Sequence, residues 1–151
     1  MQPGDHAPDF ELPDQTGQPQ RLSTLLTNGP VVLFFYPAAG TPGCTAEACH
    51  FRDLASLFAQ AGVQRVGISR DKVEKQQAWT AKHSFDYPLL ADIDGSVAKS
   101  YDVARGALLG KLMPTKRTTF AIRADGTIAD VFASEFNMDA HADQALAALA
   151  K

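Results

Sequence analysis

Residues 31–49 read VVLFFYPAAGTPGCTAEAC, and this stretch decides how the chain folds. Val31 to Tyr36 is an unbroken run of β-branched and aromatic residues. Such a run has no polar face, so it needs apolar cover on both sides and predicts a strand in the middle of a sheet. Pro37 ends it. Thr41 then offers an N-cap, and Pro42 suits the first helical position because its missing N–H would be unpaired there anyway. Both cysteines of the chain follow within two turns, five positions apart. Cys44 falls in the first turn, where backbone N–H groups lack intrahelical acceptors and the helix dipole is positive.

That position favours a sulfur anion. A free thiol is only about 3% ionised at neutral pH. A helix end contributes about 0.3–1 kcal/mol, up to ~2 when partly buried, which is too little to hold a full thiolate. A cation is therefore expected beside Cys44, and Arg117 is the candidate. It precedes the segment TTFAI, a strand that could lie beside VVLFFY and carry a planar guanidinium to the mouth of the helix. Glu47, one turn beyond Cys44 on the same face, opposes ionisation unless its charge is neutralised, a second reason to expect Arg117 nearby.

The C-x-x-x-x-C spacing matches neither the C-x-x-C redox pair nor a zinc half-site. In an ideal helix the two Cα atoms stand roughly 8.7 Å apart and about 140° around the axis, whereas a disulfide spans at most about 7 Å. Any bond between Cys44 and Cys49 requires the helix start to unwind, and Pro42, Gly43 and Thr45 make that turn weak.

The flanking sequence reads as α/β. Phe10–Leu12 and Gln20–Leu22 enclose a Pro/Gly-containing segment and predict a short N-terminal hairpin. Apolar residues recur at helical spacing from Thr45 to Gly62, with Gly62 as C-cap. Val63–Ser69 predicts a strand, Lys72–His83 a helix around Trp79, Tyr87–Ala91 a strand and Ser96–Tyr101 a short helix. Thr118–Arg123 and Ile128–Ser134 form a hairpin across Ala124–Thr127, and Asp139–Lys151 a closing amphipathic helix. This order predicts an α/β, thioredoxin-like fold: a mixed central sheet flanked by helices, with an N-terminal β-hairpin extension. With 151 residues and no linker or repeat, one domain spanning 1–151 is expected.

Hydrophobic residues at 45%, charged residues at 21% and a net charge of −3 describe a soluble globular chain with no basic field for nucleic acid. No apolar run approaches the roughly 18 residues that span a bilayer, and no secretory leader is visible, so a cytoplasmic location is expected. Two cysteines are too few for a disulfide-built scaffold, and a reducing compartment makes any bond between them transient. His6, His50, His83 and His141 are scattered and read as surface or loop residues, with no metal site implied. Trp79 and Phe85 read as core or groove residues.

At these residues the chain resembles the peroxiredoxins, and within them the bacterioferritin comigratory protein or peroxiredoxin Q group. The P-x-x-x-T-x-x-C signature stands as Pro37-Ala-Ala-Gly-Thr41-Pro-Gly-Cys44, followed by Glu47, Cys49 and Phe51-Arg52-Asp53, with Arg117 heading RTTFAI. The similarity extends to Gly4–Phe10, Leu89–Asp92 and the Gly126 hairpin. It implies a peroxidase without haem, flavin or metal, in which Cys44 attacks a hydroperoxide and becomes a sulfenic acid that Cys49 resolves. It further implies that Thr41 holds the peroxide, Arg117 stabilises the thiolate and the developing charge, Pro37 shields Cys44, and Glu47 and Gly43 support them. Thioredoxin or a similar dithiol is the implied reductant. Monomer and weak homodimer both stay open. The chain departs from the family in Ala38-Ala39-Gly40, where a polar or charged stretch is usual, which bears on loop stiffness and substrate preference. Two other readings fit the residues: a thiol-disulfide oxidoreductase acting on protein disulfides, and a metal-binding module built from Cys44, Cys49 and His50.

Overall fold

The computed structural model describes residues 1–105 and 115–150. Near the N-terminus β1 (Glu11–Pro13) and β2 (Pro19–Arg21) pair as an antiparallel hairpin, and α1 (Leu22–Leu26) follows directly. Leu22 was expected to end the second strand and instead opens this helix. The reason is a contact across the hairpin: the Asp9 carboxylate accepts from the Ser23 amide and hydroxyl, both at 2.9 Å, which satisfies a first-turn donor and starts the helix.

β3 (Val31–Phe35) is the middle strand of a five-stranded sheet. After it come α2 (Pro42–Asp53), α3 (Ala55–Ala61), β4 (Gln64–Ser69), α4 (Val73–His83), β5 (Leu89–Ala91), α5 (Ser96–Ser100), β6 (Thr118–Ile122), β7 (Ile128–Ala133) and α6 (Met138–Leu149). The strand order is β5-β4-β3-β6-β7. β3 runs parallel to β4, and β4 to β5, while β6 is antiparallel to both β3 and β7. The sheet is mixed, with helices on both faces.

β3 shows why the apolar run demands the centre. Val31, Leu33 and Phe35 point into a core completed by Leu22 of α1, Val97 of α5 and Tyr101. Val32 and Phe34 point into the other core, formed with Ala48 and Phe51 of α2, Phe58 of α3, Trp79 of α4 and Ala142 of α6. No residue of β3 is exposed, as a strand covered on both faces requires.

The single helix expected over Thr45–Gly62 is two helices. Leu54 (φ −90°, ψ 13°) leaves helical torsions and separates α2 from α3. The bend sets α3 against β4, burying Phe58, while α2 lies along α6. Gly62 caps α3 in the left-handed region (φ 70°), where glycine carries no Cβ penalty. The last residue of the expected closing helix, Lys151, lies outside the described residues.

The second half of α2 is fixed firmly to the sheet. The Phe51 ring stacks on Phe34 at 4.1 Å between centroids, and the Tyr87 hydroxyl donates to Ala48 O at 2.6 Å. Behind Phe34 lies Gly67, where a Cβ would stand 2.8 Å from both Phe34 Cζ and Leu89 Cδ2. Gly67→Ala is therefore expected to cost about 1–3 kcal/mol through overpacking, which thermal unfolding reads as a Tm lowered by several degrees. An unchanged Tm would contradict this packing.

Candidate active site

The site forms where β3 gives way to α2. In the β3–β6 register Phe35 faces Thr118, so Arg117 leaves β6 at the end of the sheet where the chain turns through Tyr36 and Pro37 toward Cys44. The sulfur and the guanidinium, 73 residues apart in sequence, meet there: Arg117 Nη2 donates to Cys44 Sγ at 3.4 Å. Both are buried, Cys44 at 1% and Arg117 at 4% exposure. Arg117 Nη1 donates to Glu47 Oε1 at 2.9 Å, and its Nε stands 3.7 Å from Glu135 Oε1. Glu135 in turn accepts from the Arg117 amide at 3.1 Å and from Arg105 Nη2 at 2.8 Å.

The approach is close enough to restrict position 43. A Cβ there would lie 3.3 Å from Arg117 Nη2 and 3.0 Å from Met138 Cε, so glycine allows the guanidinium to reach the sulfur. Thr41 is the N-cap residue of α2, with extended torsions, yet its side chain does not cap the helix. The hydroxyl donates to Ala38 O at 2.9 Å instead. Its hydrogen is committed, its lone pairs face outward, and the amides of the first turn keep no side-chain partner. Thr41 is exposed and Pro37 is buried. Together with Ala38, Gly43, Arg117, Glu135, Phe136 and Met138 they line a cavity of about 370 Å³.

Behind Arg117 lies a buried polar chain. Burial pushes the Glu47 carboxyl up to about 8, against the attraction of Arg117. Burial also pulls at the guanidinium, but Glu47 and Cys44 outweigh it and hold Arg117 above its ordinary range. Of this pair Arg117 keeps its charge and Glu47 gives it up. His141 completes the chain, and its place corrects the expectation of a surface histidine, for it is wholly buried. Burial lowers it and keeps it neutral. Its Nε2 faces Ser134 O at 2.8 Å, so Nε2 carries the hydrogen and Nδ1 accepts from the Thr119 hydroxyl at 2.8 Å. Glu47 Oε2, 3.5 Å from that same Nδ1, meets no donor, which fits a protonated carboxyl. The signal for His141 was present in the sequence: Met138, His141, Ala142, Ala145 and Leu149 share one helical stripe. Glu135 and Phe136 carry no comparable signal.

Cys49 and Cys44 are both free thiols. Cys49 lies on a different side of α2, half-buried, with its Sγ 3.9 Å from His83 Nδ1. His50 turns away from both sulfurs and pairs with Asp143 of α6 at 2.7 Å. Among the described residues no three His, Cys, Asp or Glu side chains converge as a metal site would require.

The raised Glu47 carboxyl makes stability depend on pH. Its ordinary value is 4.5, so the folded state holds a proton that the unfolded chain releases. That contribution is complete below about 4.5 and is lost as pH rises through about 8. Glu47→Gln keeps the shape without the titration. The Tm of the parent protein relative to this variant is expected to fall between pH 5 and about 8; a constant difference would contradict the assignment.

A family model described as AhpC/TSA matches residues 3–131. The crystal structure of peroxidoxin BcpB from Mycobacterium tuberculosis is 64% identical and superposes with a TM-score of 0.94, covering 99% of this chain and 96% of that one. Peroxiredoxin Bcp of Escherichia coli is 39% identical over 148 residues, 97% of this chain and 94% of its own. The bacterioferritin comigratory protein of Xanthomonas campestris, solved in trapped intermediate and ligand complexes bearing on its alkyl peroxide reduction, aligns with a TM-score of 0.84 at 31% identity over 94% and 92% of the two chains. Matched from end to end by such relatives, the chain belongs to the AhpC/TSA family as a thiol peroxidase of the bacterioferritin comigratory protein and peroxiredoxin Q group.

Proposed function

We propose that Cys44 is the residue oxidised by hydroperoxide, that Cys49 resolves it as an intramolecular disulfide, and that thioredoxin or a similar dithiol restores both thiols. The observation that carries the reading is the buried contact between Arg117 Nη2 and Cys44 Sγ at 3.4 Å. A guanidinium there meets the charge of the attacking sulfur and the charge that develops on the departing oxygen.

The step balances simply. The Cys44 sulfur attacks the terminal oxygen of R–O–O–H, the S–O bond forms as the O–O bond breaks, and alkoxide leaves and takes a proton to become alcohol, or water when R is hydrogen. Thr41 orients the substrate: its own hydrogen is held by Ala38 O, so its lone pair accepts from the hydroperoxide O–H. Amides of the first turn of α2 and Arg117 face the oxygens, and Pro37 limits water at the sulfur. The apolar surface of Pro37, Ala38, Phe136 and Met138 along the cavity suits an organic R group as well as hydrogen peroxide. The alkyl peroxide reduction attributed to the Xanthomonas campestris relative agrees with that substrate class. A dithiol-dependent cycle of this kind belongs in a reducing compartment such as the cytoplasm.

Resolution follows as Cys49 S–H attacks the Cys44 sulfenic sulfur, the S–S bond forming and water departing. α2 must open for this. Its first turn is the part that can move, since Gly43 lies in it and no side chain caps it.

Mass spectrometry after one equivalent of hydrogen peroxide is expected to show the loss of two hydrogens and a link between residues 44 and 49. Cys44→Ser should reduce peroxide consumption to the uncatalysed rate; persistent turnover in that variant would overturn the assignment. Cys49→Ser is expected to react once and then accumulate sulfenic and sulfinic acid. Unaltered steady-state turnover in Cys49→Ser would remove Cys49 from the cycle.

A further inference from the structure

The peroxide-reactive sulfur has Arg117 beside it, and Cys49 has a neighbour of its own. His83, the last residue of α4, directs Nδ1 at Cys49 Sγ from 3.9 Å, within the range of a hydrogen bond to sulfur. The ring is held on two sides. It stacks on Phe85 at 5.5 Å and 23°, and sets its edge against Trp79 at 6.4 Å and 82°. The backbone is held as well, because Arg52 Nη1, three residues beyond Cys49, donates to His83 O at 2.7 Å.

This contact belongs to a matched pair of helical faces. Trp79 and His83 lie four residues apart on α4, and Thr45 and Cys49 four residues apart on α2. Trp79 Nε1 donates to Thr45 Oγ1 at 3.3 Å, as His83 meets Cys49 one turn on. The second pair lies on the half of α2 that side-chain contacts tie to the sheet. Ala48 O is held by Tyr87, Phe51 O by Arg65 Nη1 at 2.9 Å, and the Phe51 ring by Phe34. When the first turn opens, Cys44 is the sulfur that travels, and Cys49 stays against His83.

We propose that His83 is the base that removes the Cys49 thiol proton as Cys49 closes onto the Cys44 sulfenic acid. The inference rests on the reading of Cys49 as the resolving thiol. In the step, Nδ1 takes the proton from Cys49, the Cys49 sulfur forms the S–S bond, the Cys44 S–O bond breaks, and the imidazolium returns its proton to the departing hydroxide as water. No further oxidant or reductant is needed. The ionisable groups facing His83 from α2 are Cys49 and Arg52. On its own helix Lys82 adjoins it, while Asp86, beyond Phe85, is taken up by Arg65 at 2.8 Å.

The test separates the two chemical steps by rapid quench and mass spectrometry after one equivalent of hydrogen peroxide, in the parent protein and in His83→Phe, which keeps the stacking, and His83→Gln, which keeps polarity. The Cys44 sulfenic acid is expected to form at the parent rate in both variants, which also reports that they are folded. Closure to the disulfide is expected to slow by about 10²-fold. The closure rate of the parent protein should depend on pH differently from that of the two variants, which lack the base. Closure at the parent rate, or an unaltered pH profile in both variants, would overturn the role of His83 while leaving Cys49 as resolver. Absence of any 44–49 disulfide in the parent protein would overturn the reading of Cys49, and His83 with it.

Discussion

The guanidinium of Arg117 divides its three nitrogens among three groups: Nη2 meets the Cys44 sulfur, Nη1 the Glu47 carboxyl, and Nε faces Glu135. The first two groups come from neighbouring turns of α2 and the third from the segment between β7 and α6. A buried cation is costly unless it is matched. Here the match is uneven by construction, because burial drives Glu47 toward its neutral form and leaves more of the positive field for sulfur. The His141 tautomer fits that division, since its Nδ1 accepts from Thr119 and offers Glu47 no hydrogen. The central β3–β6 pairing exists in the same register that delivers Arg117 to this point, so fold and site share one cause.

α2 is two different objects joined end to end. Its second half is fixed by the Phe34–Phe51 stack and by side-chain bonds to the Ala48 and Phe51 carbonyls. Its first turn has proline, glycine and no side-chain cap. The two sulfurs sit on opposite sides of that boundary. The proposed cycle, with Cys44 buried beside Arg117 for one step and joined to Cys49 for the next, would use such a boundary, because local opening draws on the least stable part of a structure. In the proposed cycle the anchored half would keep Cys49 beside His83 through both steps.

Much of this was legible in the sequence because it followed from backbone periodicity. VVLFFY demanded burial on both faces, and TPGC demanded a helix start with a cysteine in its first turn. Electrostatic need then led from that cysteine to Arg117. What stayed hidden were features set by tertiary contact. The split of the helix at Leu54 answers to packing against β4, and the opening of α1 at Leu22 to a carboxylate fourteen residues upstream of Ser23. His141 is buried because its place on the apolar stripe of α6, and not its residue type, decides which way it faces. Thr41 was read correctly as an N-cap position, but the hydroxyl found a nearer acceptor in Ala38 O. The His83 contact joins residues 34 positions apart and leaves no trace in local pattern.

The most direct measurement is the rate at which the Cys44 thiol of Arg117→Gln reacts with hydrogen peroxide at neutral pH, followed by stopped flow beside the parent protein and Arg117→Lys. Loss of the guanidinium is expected to slow the reaction by about 10²-fold or more, with partial recovery in Arg117→Lys, whose point charge cannot serve sulfur and carboxyl together. A folded Arg117→Gln protein that reacted at the parent rate would contradict the account at its centre.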